Sequence, residues 1–146
     1  MNIDPRIHLL LALSVIMVSC QKGPPSEMPA ALEGANLSVE RTDLSQTVWV
    51  KDLQCQLESN NILANAMILG AMRQKAAEMQ KCSKTPQTPR IFFRFDEKRV
   101  FDLRVADAHG TTDALCLVKV FESLEITGNG VCLGTFGLKS PPAQAP

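Results

Sequence analysis

The order of the apolar patterns between residues 47 and 138 is the feature that most constrains the fold of this chain. Apolar and polar residues alternate from Val48 to Leu57, with a change of phase near Lys51, which predicts a strand that contains a bulge. From residue 61 to residue 81, apolar residues recur at spacings of three and four. This stretch is predicted to form an amphipathic helix with Ser59 as its N-cap.

A hairpin, a second helix and a last strand are predicted to follow. The runs Ile91–Phe95 and Phe101–Val105 have the period of two that is typical of strands. Thr112 is predicted to cap the second helix, with Asp113 in its first turn, and Cys132–Leu138 is predicted to form the last strand. The order β-α-β-β-α-β predicts an α+β two-layer sandwich. Its four-stranded antiparallel sheet has the spatial order 4-1-3-2, with both helices on one face.

The composition restricts the classes of partner. The chain has 146 residues, of which 45% are hydrophobic, enough for one globular domain with a core of its own. Lys and Arg together number 15, and so do Asp and Glu. Because no overall excess of positive charge exists, the sequence argues against nucleic acid as a partner.

The N-terminus has the pattern of an export signal. Arg6 precedes an apolar run from Leu9 to Val18, which has the length of a secretory h-region and is too short to span a bilayer as a helix. Met-Val-Ser-Cys at residues 17–20 resembles the lipobox of bacterial lipoproteins, in which the cysteine receives the lipid. We therefore expect residues 1–19 to be a signal peptide and Cys20 to be lipidated; the alternative is ordinary cleavage, with Cys20 free or paired.

The resemblance to lipoproteins implies a location in the envelope. Gln21, which follows the cysteine, is not the Asp that commonly retains such proteins in the inner membrane, so the outer membrane is expected, with the domain in the periplasm or at the cell surface. Residues 20–46 are predicted to form a lipidated flexible linker, and residues 139–146 a disordered tail, because both are rich in proline and small residues.

Four cysteines remain when Cys20 is assigned to lipid, an even set that is typical of an oxidising compartment. In the predicted fold Cys82, at the end of the first helix, lies near Cys116, at the beginning of the second. Cys55 likewise lies beside Cys132 on a neighbouring strand. We therefore expect these two disulfides. Reduced buried cysteines or a metal site are the alternatives; without any C-x-x-C spacing, no metal and no cofactor are expected.

Residues 72–138 resemble the C-terminal domains of the TonB and TolA class, in particular the AgmX/PglI type. The resemblance rests on Met79-x-x-Cys82, on the predicted hairpin, and on the run Asp113-Ala-Leu-Cys116-Leu-Val. The chain departs from this class after Val120, where Phe-Glu-Ser-Leu takes the place of a basic aromatic run. The resemblance implies a non-enzymatic envelope module that contacts other proteins or itself.

Two other functions are weighed against protein binding. His109 is the only histidine after Cys20, and a small periplasmic hydrolase would depend on it as a catalytic base. A lipoprotein that binds a small ligand would instead need an apolar pocket between the helices and the sheet, a space that we expect side chains to fill. The side chains expected there are Phe93, Phe101, Leu103 and Phe121.

The sheet face opposite the helices is the predicted binding face. Its apolar residues are expected to be Phe92, Val100, Val131 and Leu133. The second predicted strand is expected to be an exposed edge that a partner strand can extend, with Arg90 and Arg94 guarding it against promiscuous pairing.

Overall fold

Five strands and two helices are formed by the part of the chain that the computed structural model describes, residues 27–59 and 62–139. The elements are β1 (Leu37–Asp43), β2 (Val48–Leu57), α1 (Ala64–Lys81), β3 (Arg90–Asp96), β4 (Arg99–Ala106), α2 (Thr111–Glu122) and β5 (Gly130–Leu138). The predicted signal peptide, Cys20, residues 21–26 and the tail beyond Lys139 lie outside the described residues.

The strands form one antiparallel sheet in the order β1-β2-β5-β3-β4. The α+β class is confirmed, but the predicted strand count and the order 4-1-3-2 were wrong. β5 lies between β2 and β3, because its small and apolar side chains are buried or half-buried along its whole length. β4, which carries more exposed and half-buried residues, forms the edge instead of β3. The second predicted strand corresponds to β3, so the prediction that it is an exposed edge was also wrong.

The additional strand β1 lies within residues 20–46, which the sequence predicted to be a flexible linker. Leu37 pairs with Cys55 and Val39 with Leu53 in an antiparallel ladder, and both apolar side chains are half-buried against the core. The linker prediction is thus wrong for this strand. β1 was missed because an edge strand needs few buried side chains, and its apolar alternation spans only these two residues.

Two bulges decide which side chains face the helices. The bulge predicted near Lys51 is confirmed: the register of β2 against β5 shifts there, and Asp52 has a φ of 52°. A second bulge lies in β4, where Asp102 has a φ of 46°. It places Phe101 opposite Arg94, on the face away from the helices, so the expectation that Phe101 fills the core was wrong.

The helices begin without the predicted side-chain caps. Leu63 is the N-cap of α1 and makes no side-chain capping bond, so the prediction of Ser59 was wrong. Gly110 is the N-cap of α2, and Thr112 lies inside the first turn rather than at the cap. The polar pattern located each helix start only approximately, because a cap is defined by backbone geometry that sequence spacing does not fix.

An aromatic cluster fills the space between the helices and the sheet. Phe121 of α2 is fully buried, and its ring centroid lies 5.4 Å from that of Phe93 and 5.1 Å from that of Phe136. Met72 and Met79 of α1 join the same core. Side chains therefore occupy the space in which the alternative of a small-ligand pocket would place its ligand.

Both predicted disulfides are present. Cys55 and Cys132 are directly opposite on β2 and β5, with Cα atoms 4.1 Å apart, and both are fully buried. Cys82 follows α1 and is joined to Cys116 of α2 across a Cα distance of 5.4 Å. The two bridges tie neighbouring strands together and the end of α1 to the middle of α2.

Gly137 has a close-packing role on the face away from the helices. A Cβ atom at this position would lie within the indole ring of Trp49, the only tryptophan of the chain.

We expect Gly137→Ala to lower the free energy of unfolding by about 1–3 kcal/mol, because Trp49 must move. Tryptophan emission reports the movement of Trp49, and urea unfolding measures the loss of unfolding free energy. The matched control is Gly70→Ala in α1, where no described atom other than its chain neighbours and the backbone of the helix itself lies within 4 Å of the added Cβ. That variant is expected to gain about 1 kcal/mol from helix propensity. Unchanged emission and stability in Gly137→Ala would contradict the packing.

Candidate functional site

The predicted binding face is largely inaccessible. Phe92 is 4% exposed and Leu133 3% exposed, although both lie on the face away from the helices. Val100 pairs with Phe95 and belongs to the core beneath the helices. Of the four predicted residues only Val131 is partly accessible, so the prediction of an exposed apolar binding face was wrong.

The chain's own N-terminal segment crosses this face. Arg90 donates hydrogen bonds to the carbonyls of Pro29 at 2.8 Å and Ala30 at 3.2 Å. The Leu32 amide donates to the Gln54 side chain at 2.9 Å. Ala30 and Leu133 line the same small cavity of about 170 Å³. The segment thus occupies part of the surface that the sequence assigned to a partner.

Arginine side chains cover Phe92 on that face. The guanidinium of Arg104 lies 4.6 Å from the centroid of the Phe92 ring, and that of Arg94 lies 5.8 Å from it. Asp102 makes ion pairs with both arginines, at 3.0 Å and 3.1 Å. Arg94, which the sequence assigned to guarding an edge, is therefore a cover for a buried phenylalanine of a central strand.

His109 lies in an exposed loop before α2. Its Nδ1 is 3.0 Å from the hydroxyl of Thr85, and its backbone amide donates to Gln87 Oε1 at 2.8 Å. Gln87 is 3% exposed and donates through Nε2 to Asp113 at 3.0 Å. Thr85 thus places a hydroxyl beside the imidazole of His109. The carboxylate of Asp113 bonds to Gln87 instead, so it does not orient that imidazole as the acid of a catalytic triad would.

The exposed apolar residues of the described chain concentrate at the beginning of α1. Ile62 is 95% exposed, Leu63 61% and Met67 38%. Leu115 on α2, 57% exposed, is the other large exposed apolar side chain among residues 27–59 and 62–139. Exposing three such residues within two helical turns is unfavourable in water, which makes this region the best candidate for a contact site.

We define the α1 surface as Ile62, Leu63, Ala66, Met67 and Gly70. Two depressions adjoin it and share Met67: a groove of about 540 Å³ that runs to Phe95, and one of about 290 Å³ that runs past Gly70. Both also share Thr127 of the loop before β5. Met67 therefore lies on a ridge between the two grooves, and Ile62 and Leu63 extend the apolar surface without lining either groove.

The absence of charge distinguishes this part of α1. From Ser59 to Met72 the sequence contains no Asp, Glu, Lys or Arg, whereas the exposed face of the second half of the helix carries Arg73, Glu78 and Lys81. The sequence prediction missed this surface because its apolar residues follow the spacing of a buried helix face. The charge-free run was the signal that would have indicated it, since an exposed helix face normally carries charges.

The α1 surface is the main candidate, because the described residues form neither a metal site nor a membrane-spanning helix. In the described part of the chain no three His, Cys, Asp or Glu side chains are grouped as a metal site. No helix within residues 27–59 and 62–139 has the length and hydropathy needed to cross a bilayer.

Comparison of the chain with family models, with curated proteins and with solved structures gives no match. The resemblance to the TonB and TolA class accordingly stays a prediction.

Proposed function

We propose that this chain is a lipoprotein of the bacterial envelope, anchored through Cys20, whose domain binds another envelope protein through the α1 surface and catalyses no reaction. The observation that carries the binding role is the exposure of Ile62, Leu63 and Met67 around the beginning of α1, in a stretch without charges. The lipobox-like residues 17–20 and the apolar run before them support the anchor. The two disulfides are consistent with export, because such bonds persist in oxidising compartments.

The contacts of the N-terminal segment shorten the tether of the proposed anchor. Glu27 is the first described residue, and its carbonyl accepts a hydrogen bond from Arg104 at 3.5 Å. Between Cys20 and Glu27 the chain can span no more than about 25 Å. A domain tethered in this way stays within about one domain diameter of the membrane, so its partner is expected to lie at the membrane surface.

A photoreactive amino acid in place of Met67 is expected to cross-link the protein to a discrete partner in intact membranes. Met67 is part of the α1 surface, and a bound protein would lie within the short reach of the reactive group. The same substitution at Leu115 is the matched control. Leu115 is also an exposed apolar residue of similar size on a helix, but it lies outside the α1 surface. Gel shift and mass spectrometry of the adducts are the measurements.

Adducts from position 67 that position 115 does not give are the expected result. Equal adducts from both positions, or none from position 67, would contradict protein binding at the α1 surface. An adduct with the mass of two copies of the chain would identify self-association as the form that the binding takes.

A further inference from the structure

We infer that the α1 surface binds a basic amphipathic segment of a partner protein, in which Lys or Arg side chains flank apolar ones. This inference rests on the proposed binding function and adds to it the chemistry of the partner. Three observations support it: the charges that line the two grooves, the lack of a side chain at Gly70, and the small size of the α1 surface.

The charged residues that line the two grooves are all acidic. Glu58 and Glu97 line the larger groove and Glu125 the smaller one, and within the described chain no Lys or Arg lines either. Lys98 and Arg99 line a third depression, which shares Glu97, Glu125 and Thr127 with the two grooves. An apolar ridge between carboxylates attracts a segment that carries positive charge beside its apolar side chains, and repels an anionic lipid surface.

Gly70 provides a place where a partner can approach the helix backbone. It lies inside α1, where glycine lowers helix stability relative to alanine, and apart from its chain neighbours and the backbone of α1 itself no described atom lies within 4 Å of where its Cβ would be. Its lack of a side chain is therefore not required by packing within the domain. Beside Ala66 it leaves a shallow gap next to Met67, into which an apolar side chain of a bound segment fits.

The size of the α1 surface favours a segment over a second copy of the domain. In a stable dimer each subunit usually contributes about 20–30 residues to the interface. The α1 surface together with the walls of both grooves is smaller than that, and the surrounding carboxylates would repel those of a second copy. A single amphipathic helix that lies along the ridge matches both its extent and its charge.

The test is binding of two labelled 18-residue peptides, one of leucine and lysine and one with glutamate in place of each lysine. The protein is the chain from residue 20 onward with Cys20→Ser, so that no lipid is attached. Fluorescence anisotropy is expected to show saturable binding of the cationic peptide only. Met67→Gln, which removes the apolar side chain without adding charge, is expected to weaken this binding about tenfold and Leu115→Gln to leave it unchanged. Glu97→Lys together with Glu125→Lys is expected to weaken it about tenfold.

Three results would overturn the inference: no saturable binding of the cationic peptide up to about 1 mM, equal binding of both peptides, or binding that Met67→Gln leaves unchanged. Concentration-dependent self-association that Met67→Gln weakens would assign the surface to a second copy. Binding to phosphatidylglycerol vesicles that Met67→Gln weakens would assign it to lipid. Position-67 cross-links without any preference for the cationic peptide would refute the stated partner chemistry and leave the proposed protein binding intact.

Discussion

Replacing Cys55 and Cys132 together by alanine is expected to lower the free energy of unfolding by about 4 kcal/mol. The bridge joins residues 77 apart in sequence, and the entropy lost by the unfolded chain grows with the length of the closed loop. Urea unfolding of the oxidised protein measures the loss. Replacing both cysteines leaves no lone thiol to form a new bridge.

The matched control is the double replacement of Cys82 and Cys116, whose bridge spans 34 residues. The shorter loop predicts a loss about 0.7 kcal/mol smaller than for the first pair. Both losses are a large part of the stability of an ordinary domain, which is about 5–15 kcal/mol. A loss below about 1 kcal/mol for the Cys55 and Cys132 pair would contradict the role of that bridge in stabilising the fold.

The second large effect is expected from Phe121→Ala, which should cost about 3–5 kcal/mol of unfolding free energy. Phe121 is fully buried and contacts Phe93 and Phe136, so its removal leaves a cavity between α2 and the sheet that the disulfide-braced backbone cannot close. Thermal and urea unfolding measure the loss. Leu115→Ala on the same helix, where the side chain is exposed, is expected to change stability by no more than about 0.5 kcal/mol. Similar losses in the two variants would contradict the assigned core.

The sequence predicted the elements of the fold better than their arrangement. The helix before Cys82, the hairpin and the strand with a bulge near Lys51 have strong periods, and the cysteines restricted which elements lie together. The place of β5 between β2 and β3 was not predicted, because local periodicity identifies a strand without identifying its neighbours. The position of Phe101 was also hidden, since Phe101, Leu103 and Val105 alternate regularly in sequence and only the bulge at Asp102 separates their faces.

The candidate site was harder to predict than the fold. Phe92 and Leu133 lie on the predicted face, but their burial depends on Arg104 and on the segment that begins at Glu27, contacts between residues far apart in sequence. The predicted helix included Ile62, which in the structure precedes α1 and is 95% exposed, and spacing cannot reveal that exposure. Exposure is a tertiary property, and here only the lack of charge around Ile62 indicated it.

The proposed anchor is tested most directly by mass spectrometry of the mature protein purified from membranes without reductant. The proposal predicts an N-terminal peptide that begins at Cys20 and carries acyl chains, and no free thiol among the four remaining cysteines. A protein that begins elsewhere or has an unmodified Cys20, together with alkylated thiols at Cys55, Cys82, Cys116 or Cys132, would contradict the envelope lipoprotein proposed here.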